Sequence, residues 1–429
     1  MAGDMLWGLL PDHLVFVLLL ALMLLDMLRA GARSAGTLVA LVLLAACAIL
    51  LRQCAQGYGA DILPGEIRVD RFAVLAKLVI VGSGLVFVML FHAGGSIKSA
   101  FLVCSSLLGA MVVMDSAGFI ALFIGIEMLS LPAFALMLHG AGATVASEGA
   151  FKYLLLSSVA SALILFGIAL GYGAAGTLAV DAFAAGDSAQ ALAAGVLVAA
   201  GFFLKAAVFP FHAWAPDAYS GVRVPVTAFL AAIVKGAVIL ALVRVFSTAP
   251  LEPAIAAIVV ALSLLSIVYG NLTAIRQARF KRLLAYSSIA HAGYMVFALV
   301  DVTGSRAEDL LWYVAIYALT VIVACAAFTA LCPGDGDDIR SLDAAFHARP
   351  APALLFGLCM LSLAGIPPLP GFFAKLFVFK SVIASGYLGS AVVAFVGSFI
   401  GVTYYLGLFF RLFARTAPER AADGMPAPR

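Results

Sequence analysis

Long apolar runs, each ended by a short polar or Gly/Pro-containing break, fill the chain from residue 9 to residue 411. They fall at 9–28, 36–51, 71–92, 99–114, 117–139, 149–172, 190–209, 224–246, 253–273, 283–300, 309–332, 352–383 and 387–411. The runs are continuous instead of alternating, so they predict helices and exclude a closed β-barrel. A helix of about 20 residues crosses a bilayer. The expected fold class is therefore all-α: a polytopic membrane protein with about 13 transmembrane helices.

Two runs contain helix breakers next to a charge. GFFLKAAVFPFHAW places Pro210 five residues after Lys205, and LAGIPPLPGFFAKLFVFK places Pro367, Pro368, Pro370 and Gly371 just before Lys375. Proline removes a backbone donor and frees a carbonyl, which lipid cannot satisfy, so such breaks persist only where they are packed in protein or line a wet cavity. Broken helices carrying mid-membrane charge point to an ion-transport fold built from inverted repeats.

Composition agrees with the runs. Of 429 residues, 65% are hydrophobic and 11% charged, with a mean hydropathy of +1.14. Soluble domains run at about 45–50% apolar and about 25% charged, so lipid must face most of these side chains. The net charge of +3 matters less than its placement. If the N-terminus is outside and every run crosses, fourteen of the 25 Lys and Arg lie in inside loops and five, Arg52, Arg68, Arg71, Arg244 and Arg306, lie outside. That bias predicts a periplasmic N-terminus and a cytoplasmic C-terminus in a bacterial inner membrane. Asp4 precedes the first run, Asp12 lies at its start, ahead of its unbroken apolar part, and Arg29 and Arg33 follow it, the reverse of a cleavable signal peptide.

The remaining basic residues, Lys77, Lys152, Lys205, Lys235, Lys375 and Lys380, lie within or at the edges of runs, as do Glu127, Asp115 and Glu148. A charge at the bilayer centre costs at least about 2.5–3.5 kcal/mol, so each is a functional candidate. Lys77 and Lys380 lie near run ends, from which a lysine can snorkel to the interface. Lys205, Lys235 and Lys375 have apolar flanks on both sides. Glu148 and Lys152 are four apart and are placed to pair with each other. The six cysteines show no CxxC pair, and neither GxGxxG nor GxxxxGK[ST] occurs, so no metal site is expected. Nucleotide and redox chemistry are assigned to other polypeptides.

Five segments together resemble the antiporter-like subunits of respiratory complex I, NADH:quinone oxidoreductase, and among them the N-type branch to which mitochondrial subunit 2 belongs. They are IEMLSLPAFALM around Glu127, SEGAFKYLLLSSVASALILFGIALGYGAAGTL around Lys152, GFFLKAAVFPFHAWAPDAYSGVRVPVTAFL around Lys205, GNLTAIRQARFKRLLAYSSIAHAGYM reaching His291, and LSLAGIPPLPGFFAKLFVFK around Lys375. The resemblance runs from about Asp70 to Phe413. It implies a buried Glu127/Lys205 pair, a central connecting Lys235, and Lys375 as the exit-side group, which in a sister subunit is a glutamate. His291 is placed either in the same polar line or as a hydrogen-bonded packing residue. The implied organisation is an N-terminal three-helix segment (1–95), two antiporter-like repeats (96–250 and 251–415) and a cytoplasmic tail (416–429). No cofactor is implied in this chain; FMN, iron–sulfur clusters and quinone belong to partner subunits. The implied partners are other membrane-arm subunits and the lipid bilayer, with no nucleic acid.

The family's N-type subunits carry a further span after the position matching Phe413, whereas a short Arg- and Pro-containing tail follows here, which alters one lateral face. Two other readings stay open: a subunit of a multi-subunit Na⁺/H⁺ antiporter or membrane-bound hydrogenase, and a structural subunit that moves no protons. The sequence leaves both H⁺ and Na⁺ open as the coupled ion.

Overall fold

In a computed structural model of the protein, the described residues are 2–29, 31–91, 95–139, 144–183, 188–246, 251–334 and 336–414, without the side chains of 2–3, 144–147 and 182–183. The expected tail, 416–429, lies outside them. After a short helix, Ala2–Gly8, come α1 (Leu10–Met27), α2 (Ala32–Ala55), α3 (Arg71–Phe91), α4 (Ile97–Asp115), α5 (Phe119–Leu138) and α6 (Thr144–Ala175). Then follow α7 (Ala189–Ala206), α8 (Trp214–Gly221) and α9 (Val224–Phe246). The rest is α10 (Pro253–Ala274), α11 (Phe280–Val300), α12 (Arg306–Leu331), α13 (Pro350–Ala364), α14 (Pro370–Ala384) and α15 (Leu388–Leu412).

Among the described residues, twelve of these helices are long and apolar enough to cross a membrane. The remaining expected span, 352–383, twelfth in chain order, is the 15-residue α13 and the 15-residue α14, meeting at a break. Span 190–209 is likewise broken, α7 ending at Ala206 before the short α8. Both breaks fall at the predicted prolines. The protein is thus an all-α, multi-pass membrane fold with one short β-hairpin. From α4 onward one order occurs twice: three long helices, a broken one and a long one.

Helix starts follow local chemistry. Ser96 accepts from the Ser99 amide and Ser188 from the Ala191 amide, each at 3.1 Å, while Glu252 caps α10 ahead of Pro253. Such caps satisfy amides that the first helical turn leaves bare. The apolar windows of α9 and α11 are 100% buried, against 33–67% for the others, so these two form the centre and the rest surround them.

The polar connections gather on two opposite faces. On one, residues after α2 form a hairpin, Ala60–Leu63 with Ile67–Val69, too short for its alternation to show in the sequence. There Arg68 pairs with Asp61 at 2.7 Å and Asp181 at 3.0 Å, Arg244 pairs with Asp70, and Ile67 bridges Ser116. On the other face, Arg282 and Lys152 meet Asp217, Arg279 bridges Asp338, and Arg411 meets Asp343 at 2.8 Å. Each set joins only connections that thirteen crossings would put on one side.

One expectation fails. Lys77 does not snorkel: it is wholly buried, with Nζ donating to Asp12 Oδ2 at 3.0 Å and Asp115 Oδ2 at 2.7 Å. Two carboxylates from other helices solvate the ammonium, so it has no need to reach the interface. Lys380, by contrast, is exposed.

Gly109 of α4 lets α5 approach closely, since a Cβ there would lie 2.4 Å from the Leu129 nitrogen, whereas one at Gly82 of α3 would meet no atom within 4 Å. Gly109→Ala is expected to cost about 1–3 kcal/mol from forced separation. Gly82→Ala gains about 0.5–1 kcal/mol of helix propensity. Thermal unfolding of the two purified variants, compared with the parent, checks the opposite signs.

Candidate functional site

The site begins on α5, where Glu127 and Ser130 are three apart and so share a face. Lys205, in the last turn of α7, reaches that face, and Nζ donates to Glu127 Oε1 at 3.3 Å, Ser130 Oγ at 3.2 Å and Ser157 Oγ at 3.0 Å. Ser161, one turn beyond Ser157 on α6, donates to Glu127 Oε1 at 2.5 Å. The Lys205 side chain is 3% exposed and that of Glu127 27%, so the carboxylate is the end of the pair nearer the surface. A cavity of about 10 Å³ lies against Lys205, Ser130, Ser157 and Tyr153. That volume accommodates one water.

The break after α7 carries the line onward. Ala207 takes a left-handed conformation (φ 57°) that ends α7, and Trp214 Nε1 donates back to Leu204 O at 2.8 Å. Trp214 also packs edge-on against Tyr153 and Tyr219, with centroids 5.1 and 6.3 Å away. Lys235 Nζ sits 5.8 Å from the centre of the Tyr219 ring, within cation–π range. Lys235 opens directly after a wide π-turn, Leu230–Val234, of the kind that often marks functional positions.

Lys235 then contacts α11. Its Nζ donates to Ser288 Oγ at 2.8 Å and Ser288 O at 3.3 Å, while the Ser288 hydroxyl donates to Ala285 O. Ser288, His291 and Tyr294 are spaced by three and lie on one helix face. Lys375 Nζ stands 5.2 Å from the Tyr294 ring centre, so His291 lies one turn from the contact of each lysine. Between Ser288 and Tyr294 the helix rises only about 9 Å. His291 Nδ1 is 2.9 Å from the Tyr313 hydroxyl and Nε2 3.2 Å from that of Tyr405, which also bonds Ser287. It is therefore both hydrogen-bonded and within the polar line.

Lys375 is held by the second break. Its Nζ donates to Ala364 O at 3.0 Å, Leu363 O at 3.2 Å and Ser398 Oγ at 2.8 Å. The two carbonyls end α13, where a helix has unpaired acceptors and the negative end of its dipole. Gly365 makes this possible: at φ 84° it turns the chain, and a Cβ there would meet the lysine side chain at 3.2 Å.

Among the described residues, Lys235 and Lys375 pair with no carboxylate; hydroxyl and carbonyl oxygens hold their protonated forms. The structure thus joins Glu127 to Lys205, and places His291, bonded to Tyr313 and Tyr405, one helical turn from Ser288, which Lys235 contacts, and from Tyr294, which Lys375 contacts. Lys152 and Glu148 stand apart, in the ion cluster with Asp217: Lys152 Nζ lies 2.8 Å from Glu148 and 2.6 Å from Asp217. The sequence reading missed the hydroxyls of Ser130, Ser157, Ser161, Ser288 and Ser398 and the rings of Trp214 and Tyr219. Only Ser130, three residues from Glu127, and Ser288, three from His291, left a signal at helical spacing beside an ionisable residue.

The family described as "NADH:quinone oxidoreductase/Mrp antiporter, TM" matches residues 116–401. The chain is 55% identical over 421 residues to NADH-quinone oxidoreductase subunit N of Pelobacter propionicus, covering 97% of this chain and 91% of that protein. It is similar to a chain in respiratory complex I from Thermus thermophilus with bound aureothin: TM-score 0.85, 36% identity, 94% of this chain and 90% of that one. A chain of the Mrp complex from Dietzia shares the fold, with a TM-score of 0.87 at 22% identity over 97% of this chain and 81% of that one.

Gly365→Ala is expected to destabilise the protein by about 1–2 kcal/mol, the left-handed penalty for a residue with a Cβ. Thermal unfolding checks it, with Gly389→Ala, where a Cβ meets open space, as the control.

Proposed function

The chain belongs to the NADH:quinone oxidoreductase/Mrp antiporter family, as a homologue of NADH-quinone oxidoreductase subunit N, and on that premise we propose that Glu127, Lys205, Lys235 and Lys375 are its proton-carrying residues. The chain is a proton-translocating, multi-pass membrane-arm subunit of the complex I type. Glu127 and Lys205 act as the input pair, Lys235 as the connection, and Lys375 as the exit group, with His291 between the last two. Lys152 and Glu148 are secondary, feeding protons from the cluster at Asp217.

The observation that carries this reading is the face of α11, where Ser288, His291 and Tyr294 join the surroundings of Lys235 to those of Lys375. Burial disfavours a charged ammonium and a nearby carboxylate favours it. Movement of Glu127 by a few ångströms, toward or away from Lys205, therefore decides whether that lysine keeps its proton. Lys235 and Lys375, held by neutral oxygens, release a proton without leaving a bare buried carboxylate. Serine and tyrosine hydroxyls, which both donate and accept, carry the proton between them.

The electron carriers, FMN, iron–sulfur clusters and quinone, reside in partner subunits of the membrane and peripheral arms, and this chain moves protons with the energy they release. Residues 1–95 form an N-terminal segment, and 96–250 and 251–415 form two repeats. Five crossings separate their first helices, so the second repeat is inverted relative to the first. The hairpin face is periplasmic and the Asp217 face cytoplasmic, in a bacterial inner membrane, which agrees with the bias of basic residues.

In the assembled enzyme, Lys205→Ala or Glu127→Ala is expected to lower proton flux through this subunit by about 10²-fold or more, the contribution of a positioned proton-transfer group. Protons moved per NADH oxidised measure it, with Lys380→Ala as the neutral control; an unchanged ratio in both variants sinks the proposal. For orientation, a membrane-impermeant maleimide is expected to label Asp61→Cys in intact spheroplasts and Asp343→Cys only in inverted vesicles. The reverse pattern overturns the assignment of faces.

A further inference from the structure

Asp12 of α1, Lys77 of α3 and Asp115 of α4 form a buried charge cluster that the line from Glu127 to Lys375 does not use. Lys77 is wholly buried and the Asp115 side chain is 3% exposed. Each carboxylate gives Oδ2 to the ammonium, and in each the other oxygen, Oδ1, is buried with no hydrogen-bond partner. Fully ionised, the cluster carries one negative charge in excess and two bare carboxylate oxygens. A buried carboxylate oxygen without a partner is costly, and ion pairs in a low-dielectric interior persist only when their remaining lone pairs are satisfied.

Among the described residues, no neighbour supplies the missing positive charge. Arg244 of α9 is the cation facing Asp115, but it is engaged with Asp70, with Ser116 O at 2.6 Å and with Arg68 O at 3.1 Å. Tyr58, in the loop after α2, faces Lys77 and donates to Asp4 O at 2.9 Å. Arg306 of α12, which packs on α3, is engaged with the Phe246 and Asp301 carbonyls.

We propose that Asp12, Lys77 and Asp115 form a proton-binding site, in which the two carboxylates hold one proton between them beside the lysine ammonium. Binding one proton makes the cluster neutral and turns a bare acceptor into a donor. A metal cation is disfavoured, because two free oxygens are too few for a hard cation and the ammonium repels it. Lys77 lies six residues into α3 and Asp115 is the last residue of α4, next to the Ser116 bridge to the hairpin, so the proton exchanges with the hairpin side. The site holds a proton apart from the main line, and Lys77 ties α1 to α4 through the two carboxylates. Its residues are distinct from the four of the proposed pathway, so either reading can fail while the other stands.

The test is infrared spectroscopy of the assembled, detergent-solubilised complex in H₂O and D₂O, as wild-type-minus-variant differences for Asp12→Asn and Asp115→Asn. The expected result is the loss of one carboxylic-acid C=O band, sensitive to deuterium, in at least one variant. Loss of only carboxylate bands in both variants overturns the proposal and leaves the cluster a charged clamp. Should an Asn variant fail to assemble, Asp12→Glu and Asp115→Glu keep the carboxyl group. A shift of the C=O band in either then supports the site, and an unshifted band in both overturns it.

Discussion

A lysine ammonium in a bilayer core must be solvated by the protein, and four lysines of this chain meet that constraint in different ways. Lys77 uses two carboxylates, Lys205 one carboxylate and two hydroxyls. Lys235 uses a serine and an aromatic face, and Lys375 two helix-end carbonyls and a serine. The degree of charge compensation falls along this series. Lys77 is met by carboxylates on both sides, whereas among the described residues Lys235 and Lys375 meet only neutral oxygens and an aromatic face.

Much of the architecture serves that solvation. A continuous helix uses its carbonyls internally, and only a broken one offers them to a side chain in lipid. The break after α13 offers the Leu363 and Ala364 carbonyls to Lys375, and Gly365 is the residue whose shape leaves room for the lysine. At the other break the freed backbone is recovered by Trp214, whose indole bonds Leu204 O and whose ring leads toward Tyr219 and Lys235. The π-turn before Lys235 is a third irregularity on the same path. These departures from ideal helix occur in the buried middle of the molecule, where neighbouring helices supply the lost contacts.

The faces of the molecule complete this picture. Arginines and aspartates on the hairpin face tie the N-terminal helices to α9 through Arg244, and the opposite face gathers Lys152, Arg282 and Asp217 over the end of α8. Glu127 is the one member of the central line with appreciable side-chain exposure, 27%. Ser161 and Lys205 both donate to its Oε1, which holds the carboxylate beside the lysine.

Hydrophobic run length and the proline positions were enough to place the helices and both breaks, because lipid imposes those patterns residue by residue. The same economy exposed Glu127, Lys205, Lys235 and Lys375: a charge with apolar flanks is conspicuous in any single stretch of sequence. What solvates each charge was not legible, because Ser157 lies 48 positions from Lys205, Ser288 53 from Lys235 and Asp12 65 from Lys77. Serine and tyrosine are also ordinary packing residues in membrane helices. Lys77 shows the difference most plainly, since its place near a run end fits snorkelling and only the approach of Asp12 and Asp115 from other helices makes it a buried site. The sequence alone determined where charge enters the membrane. The tertiary structure decided which oxygens meet that charge, because this depends on contacts between segments far apart in the chain.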